Sequence, residues 1–352
     1  MAVDKNWKAA IADAHALLTS TLVRTPVIKS DSIAELLKKR LRESGLRPPS
    51  IELFFKCENL QTTGSFKLRG ATHFLNKLSD SQLIRGIVAY STGNHALATA
   101  CAAQTASQHK NIAIPCTVIM PLTASPYKIA AAKRYGAKVI LRGNNTADGA
   151  LLAHKIVKLQ NATLIPPSGD EDIMLGQATV MMEFADQIQD MGHQPLDLVL
   201  VPSAGGALLA GTGLICEGSG TLVIGTEPKN GGADLRIARQ RGVRQGSINQ
   251  DFTTIAEGLR SPTADFNWRF LCDSKYVRDV FGVTEDSIKI TMRIMVEELK
   301  MVVEPSAAVS LSALLFNNDC LRLLSTRSSW RIGIIISGGN ISVDKMLGLI
   351  QQ

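Results

Sequence analysis

A lysine that follows an aromatic residue at the opening of a helix can carry Schiff-base chemistry, and residues 64–71, GSFKLRGA, place Lys67 directly after Phe66 in that way. The ring shields the amine, and the positive end of the helix dipole disfavours its protonation, which keeps the nucleophilic form within reach. A solvated surface lysine fits the same spacing. Residues 90–100, YSTGNHALATA, read as a strand end that empties into small polar residues and then a helix. Backbone N–H groups from Ser91 to Asn94 would there face an anion, most naturally a carboxylate. A serine-capped helix without a ligand fits equally. Residues 201–211, VPSAGGALLAG, read as a strand, a turn of small residues and a helix, where backbone amides can cradle a phosphate because no side chain blocks close approach. No GK[ST] follows and the GxGxxG spacing is absent, which favours a single phosphate, with tight helix packing as the alternative. In residues 334–343, IIISGGNISV, a buried strand empties into Ser337. A hydroxyl there faces the crevice in which open parallel sheets bind ligands, although a plain turn also explains it. Together the four segments outline one site for an anionic cofactor that bears a carbonyl group.

Such a site needs strands that end side by side. Short β-branched runs alternate with longer helical patterns, which predicts an α/β chain of open, mostly parallel sheets covered by helices. The candidate strands are Ile51–Phe55, Gly86–Tyr90, Cys116–Met120, Lys138–Leu141, Leu196–Val201, Leu222–Gly225 and Ile332–Ile336. The candidate helices are Phe66–Leu78, Asn94–Ala106, Tyr127–Tyr135, Thr146–Leu159, Gly176–Gln189, Asp234–Gly242, Asp286–Lys300 and Pro305–Leu315. Leu37–Ser50 carries five basic residues and ends in a proline pair, so it is expected to be a surface insertion. The uncharged run Leu198–Cys216 is interrupted by Pro202 and by glycines, and reads as a buried strand, a glycine turn and a helix rather than a membrane span.

At 352 residues the chain is about twice the ~150-residue span usual for one domain, which predicts two lobes. Its 45% hydrophobic and 20% charged residues exclude a disordered, collagenous or coiled-coil chain. The net charge of +7 is scattered and aromatics are only 5%, so no nucleic-acid footprint is expected. Six cysteines lie far apart, at positions 57, 101, 116, 216, 272 and 320, with no metal-ligand spacing, and are expected to be reduced and mostly buried. The start, MAVDKNWKAAIADAH, has no apolar leader, which predicts a soluble cytoplasmic protein with no membrane partner.

The segments TPVIKS, FKCENLQTTGSFKLRGA, STGNHA, GQATVMMEF, VPSAGGALLAG, GTEP, TIAEGLR, VVEPSAA and SGGN follow one another in the order of the fold-type II pyridoxal-phosphate enzymes, which are tryptophan synthase β-like. Over nearly its whole length the chain resembles the serine/threonine dehydratase and serine racemase group of that family. The resemblance implies pyridoxal 5'-phosphate as cofactor, bound to Lys67 in Schiff-base linkage with Phe66 beside the ring. It further implies Asn94 on the ring's phenolic oxygen and Ser337 at the pyridine nitrogen. Ser91, Thr92, Gly93 and His95 would hold the carboxylate of a small amino-acid substrate, and Ala204, Gly205, Gly206 and Ala207 the phosphate. The implied reaction is β-elimination from a small hydroxy amino acid such as serine, threonine or 3-hydroxyaspartate, giving a 2-oxo acid and ammonia. Racemisation, with Thr92 as a second acid or base, β-replacement on an activated serine, and a cofactor-binding protein without catalysis are the alternatives.

The chain departs from the family at two places. The usual four-glycine phosphate turn is flanked here by Ala204 and Ala207, and a positive φ at either would strain the loop by about 1 kcal/mol. A divalent cation site for Mg2+ or Ca2+ would draw on Glu227, the Gly231 carbonyl and Asp234, the last lying one residue later than the pattern wants. The resemblance also implies a homodimer. It divides the chain into a large cofactor-binding domain, 1–85 and 164–352, and a small inserted domain, 86–163, that closes over the substrate. The chain ends soon after SGGN, so no appended regulatory domain and no isoleucine feedback are expected.

Overall fold

The computed structural model describes residues 5–144, 146–232, 235–244 and 253–351. Ten strands form two sheets: β1 Val27–Lys29, β2 Ser50–Cys57, β3 Ile87–Tyr90, β4 Cys116–Met120, β5 Lys138–Leu141, β6 Thr163–Leu164, β7 Leu198–Pro202, β8 Leu222–Pro228, β9 Asp279–Val283 and β10 Ser329–Ile336. The larger sheet has the order β1-β2-β10-β7-β8-β9 and the smaller β5-β4-β3-β6. Among the described residues the β1–β2 strand pair is antiparallel and the other strand pairs are parallel. The fold is therefore α/β with two open, mostly parallel sheets.

Alternation along the central strands shows why the larger sheet is covered on both faces. Phe54, Val199, Val201 and Ile335 point into one core, whereas Leu53, Phe55, Leu198, Leu200, Ile334 and Ile336 point into the other. Ile87, Ala89, Val118 and Met120 of the smaller sheet belong to the first of these cores, so it runs continuously between the sheets. Val88 and Ile119 form a separate cluster on the outer face with Ala153 and Ala162. The Lys67–Asn76 helix packs against both the Asn94–Lys110 and Glu171–Asp190 helices, which joins the two sheets.

The reading of Leu37–Ser50 as a surface insertion is overturned. A helix runs Asp31–Glu43, and Ile33, Ala34, Leu37 and Leu41 make its buried stripe while Lys38, Lys39, Arg40 and Arg42 line the rest. Strands β1, β6 and β9 are additions to the expected set. The thiols of Cys57, Cys101, Cys116, Cys216 and Cys320 are free and buried, and that of Cys272 is free and exposed. Among the described residues no helix is long and apolar enough to cross a membrane.

Candidate active site

Lys67 opens the Lys67–Asn76 helix, and its Nζ lies 5.2 Å from the centroid of the Phe66 ring. The amine donates to the Pro167 carbonyl oxygen at 2.8 Å. Burial without a carboxylate partner pushes its pKa down to about 8. Phe66 N donates to the Ser337 carbonyl at 3.1 Å, and Ser65 bridges Gly338, so the helix start is fastened to the carboxyl end of β10. Ser337 is buried there.

The phosphate turn lies between β7 and the Ala207–Cys216 helix. Gly206 has φ 88°, and a Cβ built there would lie 2.3 Å from Leu271 Cδ1, so glycine is required on two counts. A Cβ on Gly205 would fall 2.0 Å from Ser168 Oγ. Ser168 follows Pro167, whose carbonyl holds the lysine, so one segment links Lys67 to the turn. Positive φ among the described non-glycine residues occurs at Asn111, Asn161 and Lys300, so neither Ala204 nor Ala207 is strained. The departure from four glycines costs no left-handed alanine, because the left-handed position falls on Gly206.

The third segment follows β3. Ser91 N donates to the Ile119 carbonyl, and Ser91 Oγ accepts from Gly93 N at 3.1 Å. The Asn94–Lys110 helix then begins with Gly93 as N-cap and no side-chain cap, which leaves the dipole end to a guest. Gly93 packs on Lys128, whose Cδ would lie 2.5 Å from a Cβ at that position. Thr92 is half-buried between these residues. The His95 ring is committed elsewhere: Nε2 sits 2.9 Å from the Ile165 carbonyl oxygen, and burial, aided by Lys67, pushes its pKa down to about 3. A carboxylate at this helix start therefore meets a neutral histidine through its backbone.

Asn94 joins this loop to β10. Its Nδ2 donates to Glu304 Oε1 at 2.6 Å, and its Oδ1 accepts from Asn340 Nδ2 at 2.9 Å. Glu304 is buried, which pushes its carboxyl up against the opposing effects of Lys128 and the Asn94 hydrogen bond. Beside it, Lys128 donates to Glu257 at 3.2 Å, and Lys345 also bonds Glu257. Sequence reading expects the loop from Pro166 to Asp172 to meet the substrate side chain, but it passes over the bond from Lys67 to Pro167, the packing of Ser168 on Gly205 and the pairing of Glu304 with Asn94. A lone carboxylate amid the apolar and small residues of VVEPSAA was the available signal.

The candidate cation residues divide. Both carboxylate oxygens of Glu227 accept backbone N–H groups, from Leu235 at 2.8 Å and Arg236 at 3.0 Å, as a helix cap does. Gly231 packs on Thr253 and Thr254. Asp234 lies outside the described residues. Among the described residues no three His, Cys, Asp or Glu side chains group as a metal site.

An amine of lowered pKa, a glycine cradle at one uncapped helix start and a second uncapped start beside it define a site for an anionic aldehyde cofactor and a carboxylate substrate. The residues present fit that group: Ser203 Oγ, at the phosphate turn, is buried without a hydrogen-bond partner among the described residues. The family model described as "Pyridoxal-phosphate dependent enzyme" matches residues 18–338, and the chain belongs to that family. It is 34% identical over 339 residues to a serine racemase of Arabidopsis thaliana, covering 96% of this chain and 93% of the relative. It is also 34% identical over 304 residues to an L-threo-3-hydroxyaspartate ammonia-lyase of a Pseudomonas species, covering 85% and 88%. The solved structure of maize serine racemase superposes with a TM-score of 0.83 at 31% identity, covering 97% of this chain and 96% of that one. The chain is thus a pyridoxal-phosphate-dependent enzyme of the fold-type II class.

Proposed function

We propose that the enzyme eliminates water from a small hydroxy amino acid, with serine, threonine and 3-hydroxyaspartate as the candidate substrates, and that a water molecule then hydrolyses the resulting enamine, through its imine tautomer, to a 2-oxo acid and ammonia. The observation that carries this reading is the buried Lys67 amine, 5.2 Å from the Phe66 ring centroid and held by the Pro167 carbonyl, whose neighbour Ser168 packs on Gly205 of the turn. Ala204 to Ala207 would hold the phosphate, Ser337 the ring nitrogen and Asn94 the phenolic oxygen. When bound, the cofactor supplies an electron sink for negative charge at the substrate's α-carbon. The N–H groups of Ser91 and Gly93 hold the loop itself, bonded to the Ile119 carbonyl and to Ser91 Oγ, so the backbone N–H groups of Thr92, Asn94 and His95 orient the substrate carboxylate, and the helix dipole adds attraction. Lys67 Nζ takes the α-proton, for which an amine with a pKa of about 8 is well matched to neutral or slightly alkaline solution. Ser337 offers the ring nitrogen a neutral hydroxyl in place of a carboxylate, which favours prompt loss of the β-hydroxyl over long-lived carbanion chemistry.

Residues 86–163, which carry β3 to β5 and the first residue of β6, act as a small lobe that closes over the substrate and keeps water off the reacting groups. The enzyme works as a cytoplasmic homodimer, which sedimentation of the holoenzyme checks. Racemisation is the second reading, favoured by Thr92 beside the carboxylate loop and by the serine racemases among the relatives. The test is a panel of hydroxy amino acids assayed for ammonia, 2-oxo acid and the D-isomer. The account expects oxo acid and ammonia in equal amounts from wild type. It expects Thr92→Ala to spare elimination while abolishing any D-isomer. Release of neither product from any panel member would refute the reading.

A further inference from the structure

Glu304 stands at the N-cap of the Pro305–Phe316 helix, yet its side chain makes no capping bond to that helix. Glutamate is not among the side chains that cap helices well, and this one is directed instead at the Asn94 amide. Glu304 N donates to the Gly338 carbonyl at 3.2 Å, and a Cβ on Gly338 would fall 2.7 Å from Glu304 Oε1. The carboxylate thus lies directly beneath the residue that follows Ser337. From there it accepts one N–H of the Asn94 amide at 2.6 Å, while Asn340 donates to the amide's oxygen at 2.9 Å. Asn340 is itself anchored, its Nδ2 donating to the Thr63 carbonyl at 2.8 Å. A primary amide with its oxygen and one N–H both engaged cannot flip, and it retains one N–H for a third partner.

We propose that Glu304 is a positioning residue: with Asn340 it clamps the Asn94 amide in a single orientation, so that the remaining Asn94 N–H is aimed at the phenolic oxygen of the cofactor. The inference rests on the reading of Asn94 given above and names what holds Asn94 in place. A freely rotating Asn94 would spend part of its time presenting its oxygen to another oxygen, which weakens the contact and alters the electronics of the ring it touches.

The test uses apo wild type and the variants Glu304→Gln, Glu304→Asp, Glu304→Ala, Asn94→Ala and Glu304→Ala/Asn94→Ala. Pyridoxal phosphate is titrated into each while the visible absorption band of the bound cofactor is followed against pH. Glu304→Gln keeps an acceptor oxygen at the same reach and is expected to bind within about threefold of wild type with an unshifted pH midpoint. Glu304→Asp withdraws the oxygen from Asn94 while keeping the charge, and is expected to bind about tenfold more weakly with a displaced midpoint. Glu304→Ala is expected to match it, and the double variant to bind no worse than Asn94→Ala alone. Wild-type affinity and midpoint in both the Asp and Ala variants, or additive losses in the double variant, would overturn the proposal. The Asp and Gln pair decides it even if the Ala variant does not fold. If Asn94→Ala itself bound and absorbed as wild type does, the reading of Asn94 would fall and the clamp with it.

Discussion

The proposed chemistry rests on Lys67, and the environment of that residue makes a prediction that can be read before any substrate is added. Only the neutral amine can attack the aldehyde carbon of pyridoxal phosphate, and burial pushes the Lys67 pKa down to about 8. The rate at which apo protein takes up the cofactor should therefore climb with pH and level off above about pH 8. An ordinary surface lysine would keep climbing towards the usual lysine value of 10.5. Stopped-flow absorption across that range checks this, and Lys67→Ala should show no covalent uptake after borohydride reduction and mass analysis. The four short motifs of the site were legible in the sequence because each is continuous: a strand end or helix start brings its own neighbours. Glu304 and Pro167 were not, since their roles exist only where β10, the Lys67 helix and the 165–170 segment meet. His95 shows the same limit in reverse: it lies inside STGNHA, but its ring turns away to Ile165.

The phosphate turn makes the clearest demand at the scale of the element. Its left-handed position is Gly206, against which Leu271 packs. Gly206→Val should raise the dissociation constant for pyridoxal phosphate at least about tenfold, since the strained residue displaces the amides at the helix start. Binding of pyridoxal, which lacks the phosphate, should change little, and competitive titration of the two compounds distinguishes a lost phosphate site from general damage. Equal losses for both would count against the turn as the phosphate cradle. Strands of four or more residues with an unbroken apolar or β-branched run were readable, and Cys116–Met120 and Lys138–Leu141 coincide with the expected ranges. The missed strands are of another kind: β1 and β6 have three and two residues, and β9 contains a glycine. The Asp31–Glu43 helix was hidden by its charges, although Ile33, Leu37 and Leu41 repeat at the four-residue spacing of a buried helical stripe.

Across the whole molecule, a buried ionic network ties the sheets' connecting helices together beneath the site. Lys56 of β2 bonds Glu183, Gln187 and the Thr25 carbonyl, and Arg69 bonds both Glu58 and Glu183. Burial disfavours the charge on Glu183, but Arg69 and Lys56 outweigh it and hold its carboxyl below the usual range. Arg69 lies two residues beyond Lys67, so the network grips the first turn of the helix that Lys67 opens. Glu183→Ala would leave two buried cations short of a partner, and chemical denaturation should show a loss of about 3–5 kcal/mol. A variant as stable as wild type would mean that the cations find other partners. The central claim, that Lys67 and its surrounding loops direct β-elimination, is tested most directly by proton NMR of the cofactor-loaded enzyme with hydroxy amino acids in deuterated water, with Lys67→Ala as control. The account predicts the signals of a 2-oxo acid from wild type and none from the variant. Exchange of the α-proton without any oxo acid would contradict it, placing the lysine in a reaction other than elimination.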